Sequence, residues 1–307
     1  MSFELIILGS SSALPTSKRS TAAHLLNMNE RFFLIDCGEG TQIQLRRYRL
    51  SPARINHIFI SHLHGDHVFG LFGLLSSLGL MGRMVPLNMY GPSALEEMVE
   101  AHRNYFGPLP FLVVYHKCDN EKVVYEDSKI EVVALKLMHR TETFGYLFKE
   151  KARLLNIKKS KIQQYGLGVE DIKDIKRGMN YVSIEGNVIT NSELTLPPFK
   201  QRSYAYISDT AYMKKISKRL HGVDLLFHEA TFLEKDSNLA RQTLHSTAKQ
   251  AALVAKESNA GKLLLGHFST RYKDDTLFEQ EARTVFRNAF AVNDGDRFKV
   301  EESRFKI

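Results

Sequence analysis

The spacing of apolar positions divides the chain into short strand-like runs and helix-like segments. Phe3–Leu8 alternates into a glycine turn, and Arg31–Ile35 and His57–Ile60 read as strands bounded by polar residues. Thr41–Arg49 and Val68–Leu80 carry helical spacing. A strand is expected over Pro86–Tyr90, then a helix after Gly91-Pro92, then strands over Phe111–Tyr115, Val123–Tyr125, Ile130–Met138 and Thr143–Phe148. The second half repeats the style. It predicts a strand ending at Asp209, a helix near Met213–Leu220, a strand over Leu225–His228, a helix over Ser246–Ser258 and a strand over Lys262–Leu265. A helix over Leu277–Ala289 and a strand near Phe298–Glu301 close the chain. Two sheets with outer helices fit this order, which makes the fold class α/β with layers αβ/βα in one domain spanning 1–307.

Residues 149–180 break the pattern. Ala152-Arg153-Leu154-Leu155-Asn156 is a candidate start for a short helix, and Gly166-Leu167-Gly168 is a break. Lys149, Lys151, Arg153, Lys158, Lys159 and Lys161 face a single acid there, Glu150. This reads as an inserted basic arm. A second basic group, Arg46, Arg47, Arg49 and Arg54, reads equally well as a solvated face.

The densest chemistry lies directly after Ile58-Phe59-Ile60, in His62-Leu63-His64-Gly65-Asp66-His67. Imidazole and carboxylate are ligands a catalytic Zn²⁺ takes. One tight turn cannot aim all four at one ion. It can split them, with His62 and His64 on one ion and Asp66 and His67 on another. Further ligands stand in a shared context, each just past an apolar run: His139 after Val132–Met138, Asp209 after Tyr204–Ser208, and His267 after Leu263–Gly266. A sheet protein gathers distant residues into one pocket at such strand ends. His24, His57, His102, His116 and His221 have no such context, and His228 reads as structural.

His62-x-His64-x-Asp66-His67, followed by His139, Asp209 and His267, resembles the metallo-β-lactamase superfamily. Phe33–Gln42 with its Asp36-Cys37-Gly38-Glu39, His228-Glu229-Ala230-Thr231 and His245-Ser246-Thr247 resemble the ribonuclease Z family within it, the tRNA 3′-processing endonucleases. The resemblance runs from about residue 3 to 300. It implies a four-layer metallo-β-lactamase sandwich and two Zn²⁺, or Mn²⁺, held by His62, His64, Asp66, His67, His139, Asp209 and His267. It implies metal-activated hydroxide attack on a phosphodiester, removing the 3′ trailer of precursor tRNA and leaving a tRNA 3′-hydroxyl. Asp66 would double as proton acceptor, His245 would contact the scissile phosphate or protonate the leaving oxygen, and Glu229 would orient His245.

The resemblance also makes the 149–180 segment a tRNA-binding exosite, with Lys151, Arg153, Lys158, Lys159 and Lys161 as phosphate contacts. The glycine-proline motif usual in such arms is replaced by Gly166-Leu167-Gly168. In the loop Pro15-Thr16-Ser17-Lys18-Arg19-Ser20 the family's P-x-K-x-R-N is altered, and Lys18 and Arg19 remain candidate phosphate contacts. A homodimer is implied, in which the arm of one subunit serves the other's site. The alternative within enzymes is another binuclear hydrolase acting on a small phosphodiester, arylsulfate or lactone, since fold alone does not fix substrate. A purely structural metal site is disfavoured by the oxygen- and nitrogen-rich ligand set.

Composition changes this picture little. The 307 residues are 43% hydrophobic, enough for a sizeable core, and 42 Lys and Arg against 34 Asp and Glu give a formal charge of +8. A basic balance suits a polyanionic substrate. Two cysteines, Cys37 and Cys118, are no disulfide framework and fit a reduced, cytoplasmic setting. Glu4 interrupts the N-terminus, so no secretory signal is read there, and the uncharged stretch Val68–Gly82 is short for a membrane span.

Overall fold

A computed structural model of the chain describes residues 2–119 and 121–305. The first strands are β1 (Phe3–Gly9), β2 (Ala23–Met28), β3 (Arg31–Ile35), β4 (Ile55–Phe59), β5 (Leu87–Gly91) and β6 (Val113–Lys117). They are followed by β7 (Val123–Glu126), β8 (Ile130–Lys136), β9 (Phe144–Glu150), β10 (Tyr181–Val182) and β11 (Val188–Ile189). The last are β12 (Ser203–Ile207), β13 (Leu225–Glu229), β14 (Lys262–Gly266), β15 (Ala289–Ala291) and β16 (Arg297–Lys299).

Two compact units emerge. The larger is residues 1–149 and 203–300, and the smaller is 150–202 with the residues from Glu301 onward. The larger holds two seven-stranded mixed sheets, in the orders β16-β1-β2-β3-β4-β5-β6 and β15-β14-β13-β12-β9-β8-β7. Side chains alternate across each strand. In β1, Phe3, Leu5 and Ile7 enter the core between the sheets with Tyr146, Phe148, Tyr204 and Phe227 of the second sheet. Ile6 and Leu8 face the other way, toward Leu71, Leu74 and Leu78 of a helix. Because both faces are covered, these strands read as nearly continuous apolar runs. On the far side, Ala205, Leu226 and Leu263 pack under Ala251, Ala255 and Phe278. The result is the αβ/βα sandwich that the sequence predicts.

Strands β3 to β6 run parallel to one another, as do β12 to β15. Ligand sites of such sheets lie beyond the carboxyl ends of the parallel strands. Asp36 follows β3, the His62–His67 loop follows β4, Asp209 follows β12, Glu229 ends β13 and His267 follows β14.

The structure corrects several predicted elements. The helix expected over Val68–Leu80 is two, α2 (Gly65–Val68) and α3 (Gly70–Leu80), after α1 (Thr41–Arg47). The N–H of Gly70 leaves the helical ladder and donates to the carbonyl of Cys37 at 2.9 Å. A Cβ at Gly70 would stand 2.0 Å from the Gly38 carbonyl oxygen, so only glycine permits this approach. The helix expected near Met213–Leu220 is a 3₁₀ turn, Lys214–Lys218. That expected over Leu277–Ala289 ends at Arg283, where pairing of Ala289 with Leu263 claims the next residues for β15. Strand β2, absent from the sequence reading, follows from a two-residue turn at Asn29 and Glu30, both at positive φ (54° and 64°), the geometry of a type I′ hairpin.

The smaller unit is also larger than the expected 149–180 arm. Ala152–Asn156 is not helical there. Its helices are Lys159–Tyr165 and Val169–Lys176, broken at Gly166 (φ 59°) as the glycines suggest, with a third over Asn191–Leu194. Leu167, Ile175, Ile189 and Leu194 form its own small core.

Phe59, at the end of β4, stacks on Tyr90 (centroids 4.4 Å apart) and meets Tyr146 and Phe148 edge-on. Phe59→Ala should therefore cost about 3–5 kcal/mol, read as a drop in the denaturant midpoint with the slope unchanged.

Candidate metal centre

The strand ends bring all seven of the sequence-predicted ligands within one pocket of the larger unit. Four atoms, Asp66 Oδ2, His67 Nε2, His267 Nε2 and Asp209 Oδ1, face one another. Five of their six separations are 3.5, 3.4, 3.3, 3.5 and 3.2 Å, for Asp66–His67, Asp66–His267, His67–His267, His67–Asp209 and His267–Asp209 respectively. A tetrahedral Zn²⁺ with bonds near 2.0–2.1 Å puts its ligands about 3.3–3.4 Å apart. The second group uses the other oxygen of the same carboxylate. Asp209 Oδ2 lies 3.5 Å from His62 Nε2 and 3.8 Å from His139 Nε2, and His62 Nε2 is 2.9 Å from His64 Nδ1. All four ligand atoms lie within 4.8 Å of one another.

Two further observations fit a cation here. His139 Nδ1 donates to the Leu244 carbonyl at 3.0 Å, which leaves Nε2 as a lone pair facing the cluster, buried and with no hydrogen-bond partner among the described residues. The facing nitrogens of His62 and His64, and of His67 and His267, each need a proton or a cation between them. The charge balance of the pocket points the same way. Burial would raise the carboxyl groups of Asp66 and Asp209, but the surrounding imidazoles hold both well below the usual carboxylate range. Burial would likewise lower His67, yet Asp66, Asp36 and Asp209 hold it well above the ordinary histidine value. His62 has no such excess of acid and is pushed well down by burial and by His67.

The ligands are aimed by a surrounding layer of side chains. Asp36, at positive φ (56°), accepts from the Ser61 N–H at 2.7 Å, Ser61 Oγ at 2.8 Å, His67 Nδ1 at 2.7 Å and Tyr206 Oη at 2.7 Å. This fixes Nε2 of His67 as the inward nitrogen. The sequence reading assigned Asp36 no role, although it stands past a strand just as Asp209 does. The Ala13 N–H donates to Asp66 Oδ2 at 2.8 Å. His267 also sits at positive φ (60°), its N–H bound to the Ser10 carbonyl at 2.8 Å, a strained conformation that neighbouring structure must enforce.

Glu229 organises the remainder. It is fully buried and accepts from the backbone N–H groups of Thr210 (3.1 Å), Thr231 (2.9 Å) and Ser246 (2.9 Å), from Thr231 Oγ (2.8 Å), and from His245 Nδ1 (3.0 Å). Thr231 Oγ in turn accepts from His267 Nδ1 at 3.0 Å, so Glu229 orients His245 directly and His267 through Thr231. His245 is pinned between two helices, Ser237–Thr243, which ends on Leu244 at positive φ, and Ala248–Glu257, which Thr247 caps through Gln250. Burial would lower its pKa, but the Glu229 charge and hydrogen bond outweigh this and raise it to about 9. His228 points away, its Nδ1 on the Glu229 carbonyl.

The expected phosphate contacts fare unevenly. Lys18 is exposed. Arg19 is not available: it is 9% exposed and turned inward, bonded to Asp275, Asn293, the Val292 carbonyl and Ser10. Asp275 pairs with the guanidinium and the Phe268 ring lies 5.0 Å from it, so it anchors the loop. In the smaller unit Arg153 pairs with Glu150 and Glu302, Lys161 with Glu193, and Lys158 with the carbonyl of Glu193. Lys159 is exposed and Lys151 half-buried.

Comparison with known proteins agrees with this geometry. Two family models match parts of the chain, that of the anti-Pycsar protein Apyc1 over residues 3–102 and the β-lactamase superfamily domain over residues 187–268. Ribonuclease Z of Bacteroides fragilis is 46% identical over 295 residues, covering 95% of this chain and 97% of the relative. Ribonuclease Z of Cytophaga hutchinsonii is 44% identical over 306 residues, covering 98% and 97%. Among solved structures, the short form of human tRNase Z aligns with a TM-score of 0.69 at 26% identity, over 96% of this chain and 98% of that one. The metallo-β-lactamase fold protein YhfI of Bacillus subtilis shares the fold at a TM-score of 0.70 and 17% identity, over 97% and 99%. With such identity along nearly its full length, and with the ligand frame and the His228–Thr231 and His245–Thr247 motifs in place, the chain belongs to the ribonuclease Z family and is an endoribonuclease of the metallo-β-lactamase fold.

Proposed function

We propose that the protein removes the 3′ trailer from precursor tRNA, hydrolysing one phosphodiester to leave a tRNA 3′-hydroxyl and a 5′-phosphate on the trailer. The observation that carries this reading is the pair of ligand groups joined through the two oxygens of Asp209, in a chain 46% identical to a ribonuclease Z. His62, His64, His139 and Asp209 would hold one Zn²⁺, and Asp66, His67, His267 and Asp209 the other, with Mn²⁺ an alternative for the same ligands. When bound, such a pair supplies a water ionised near neutral pH and neutralises charge on the phosphate.

The rest of the chemistry belongs to the chain. Asp66 sits at the edge of its ligand group with Oδ2 already accepting from the Ala13 N–H. That leaves its other oxygen to take the proton of the attacking water. His245, with Nδ1 committed to Glu229, has Nε2 free to donate to the 3′-oxygen as its bond to phosphorus breaks. Glu229 keeps the imidazole in that tautomer and favours its protonated form. Because His245 acts as an acid, its contribution is present below its pKa and is lost as pH rises through it.

The smaller unit supports a role as the tRNA-gripping arm, with Lys151, Lys158, Lys159 and Lys161 toward phosphates. Three of these already have protein partners or partial burial, so Lys159 offers the most accessible charge. A homodimer is part of the proposal. Supporting it, Phe69, Leu80, Met84, Tyr105 and Leu112 are all more than 60% exposed on or beside α3 and the helix Leu95–Phe106, and exposed apolar side chains grouped along the chain in this way mark interaction surfaces. A cytoplasmic setting is supported by Cys37 and Cys118 as free buried thiols. Among the described residues no helix is long and apolar enough to cross a membrane.

Three outcomes are expected. A tRNA precursor with a 3′ trailer is cut at the acceptor end, and chelation or Asp66→Ala abolishes the cut. Hydrolysis of bis(p-nitrophenyl) phosphate without any cut would leave the site intact and the substrate assignment wrong. His245→Ala lowers kcat by about 10²–10⁴-fold and removes the alkaline limb of the kcat–pH profile, with metal content unchanged. Leu80→Glu combined with Met84→Glu converts a dimer to a monomer in sedimentation analysis; a wild-type monomer would contradict the dimer.

A further inference from the structure

A basic trough of the larger unit runs away from His139 along the outer side of β8. Its first part is lined by Leu135, Lys136, Met138, His139, Met213 and Lys215, and encloses about 730 Å³. Its second part continues past Leu147, Lys149 and His221, and the two share Glu121, Leu135, Lys218 and Arg219. One wall is β8 and the segment after it, from Val133 to His139, about 20 Å of extended chain at the usual rise per residue. The other is the 3₁₀ turn Lys214–Lys218 with Arg219.

The charge in the trough is one-sided. Five cations (Lys136, Lys149, Lys215, Lys218 and Arg219) line it against one carboxylate, Glu121, and of these Lys136 also reaches Glu142 outside the trough at 4.0 Å. Arg219 takes both oxygens of that carboxylate, so Glu121 neutralises none of the others. Lys215 and Lys218 are exposed, and neither forms an ion pair among the described residues. Met138, 48% exposed, and Met213 give the floor apolar, polarisable surface between the cations. A positively charged groove that follows the phosphate backbone is how proteins track an extended single strand without reading its sequence. One end of the trough is lined by His139, whose Nε2 lies 3.8 Å from Asp209 on its buried side, so a strand laid along the trough ends beside the ligand cluster.

Building on the proposed tRNA 3′ cleavage, we infer that this trough is the path of the single-stranded trailer: it binds the RNA on the 3′ side of the scissile phosphodiester, with Lys215 and Lys218 on its phosphates. The mature side of the substrate is a folded body, for which the smaller unit is the proposed grip. The trailer is unstructured and needs a surface that reads backbone charge alone. Such a surface makes the enzyme tolerant of trailer sequence and sensitive to trailer length.

The test compares one tRNA precursor carrying either a single-nucleotide or a twelve-nucleotide trailer, with wild-type enzyme and the double variant Lys215→Glu, Lys218→Glu. The readout is the ratio of kcat/KM for the long over the short trailer. In the variant this ratio falls by about tenfold or more, and its dependence on log salt weakens by about 1.4, the share of two single-strand phosphate contacts. Cleavage of the short-trailer precursor by the variant shows that it is folded. An unchanged ratio, or an equal loss on both substrates, overturns the trailer path while leaving the tRNA reading standing. Wild-type enzyme that cuts neither precursor overturns the tRNA reading, and this inference with it.

Discussion

Asp209 is a carboxylate buried among five imidazoles, and the arrangement is stable only because its two oxygens are divided between two sets of nitrogens. Burying an ionised group without partners costs far more than a folded protein's whole stability. Here each oxygen has partners on a different side, supplied by loops from both sheets. The oxygen nearer His267 completes a frame whose spacing suits a tetrahedral ion, and the other gathers His62, His64 and His139. Removing Asp209 would leave the nitrogens of His62, His64 and His139 with no carboxylate among them, and those of His67 and His267 with Asp66 alone.

Everything around that carboxylate serves to hold it and its neighbours in register. The parallel strands of both sheets deliver Asp36, the His62–His67 loop, Asp209, Glu229 and His267 at their carboxyl ends. Backbone strain is accepted at Asp36 and His267, both at positive φ, to turn their side chains inward. Glu229 then ties the ends of β12 and β13 to the segment between two helices through five accepted hydrogen bonds. The same carboxylate orients a ligand through Thr231 and the proposed acid directly, which couples the metal frame to the proton donor.

Much of this was legible before any coordinates. His62, His64, Asp66, His67, His139, Asp209 and His267 each stand just past an apolar run, a signal that survives without knowledge of the fold. Asp36 and Thr231 were not legible as positioning residues. Their roles depend on a positive φ in one case and on a partner 36 residues away in the other. Arg19 was misread for a related reason: a basic residue in a polar turn looks solvated, but Asp275 and Asn293 reach it from more than 250 positions along the chain. The missed strand β2 and the truncated C-terminal helix are cases where pairing with an existing sheet overrode local pattern. In the smaller unit the basic run and Glu150 within it were visible, but the ion pairs with Glu193 and Glu302 were not, since those acids are distant in sequence.

The measurement that bears most directly on this account is anomalous diffraction at the zinc edge from crystals of the zinc-loaded protein. The account predicts two peaks per chain, both within bonding distance of Asp209, one also bound by Asp66, His67 and His267 and the other by His62, His64 and His139. A single peak, or two peaks of which only one contacts Asp209, would contradict it.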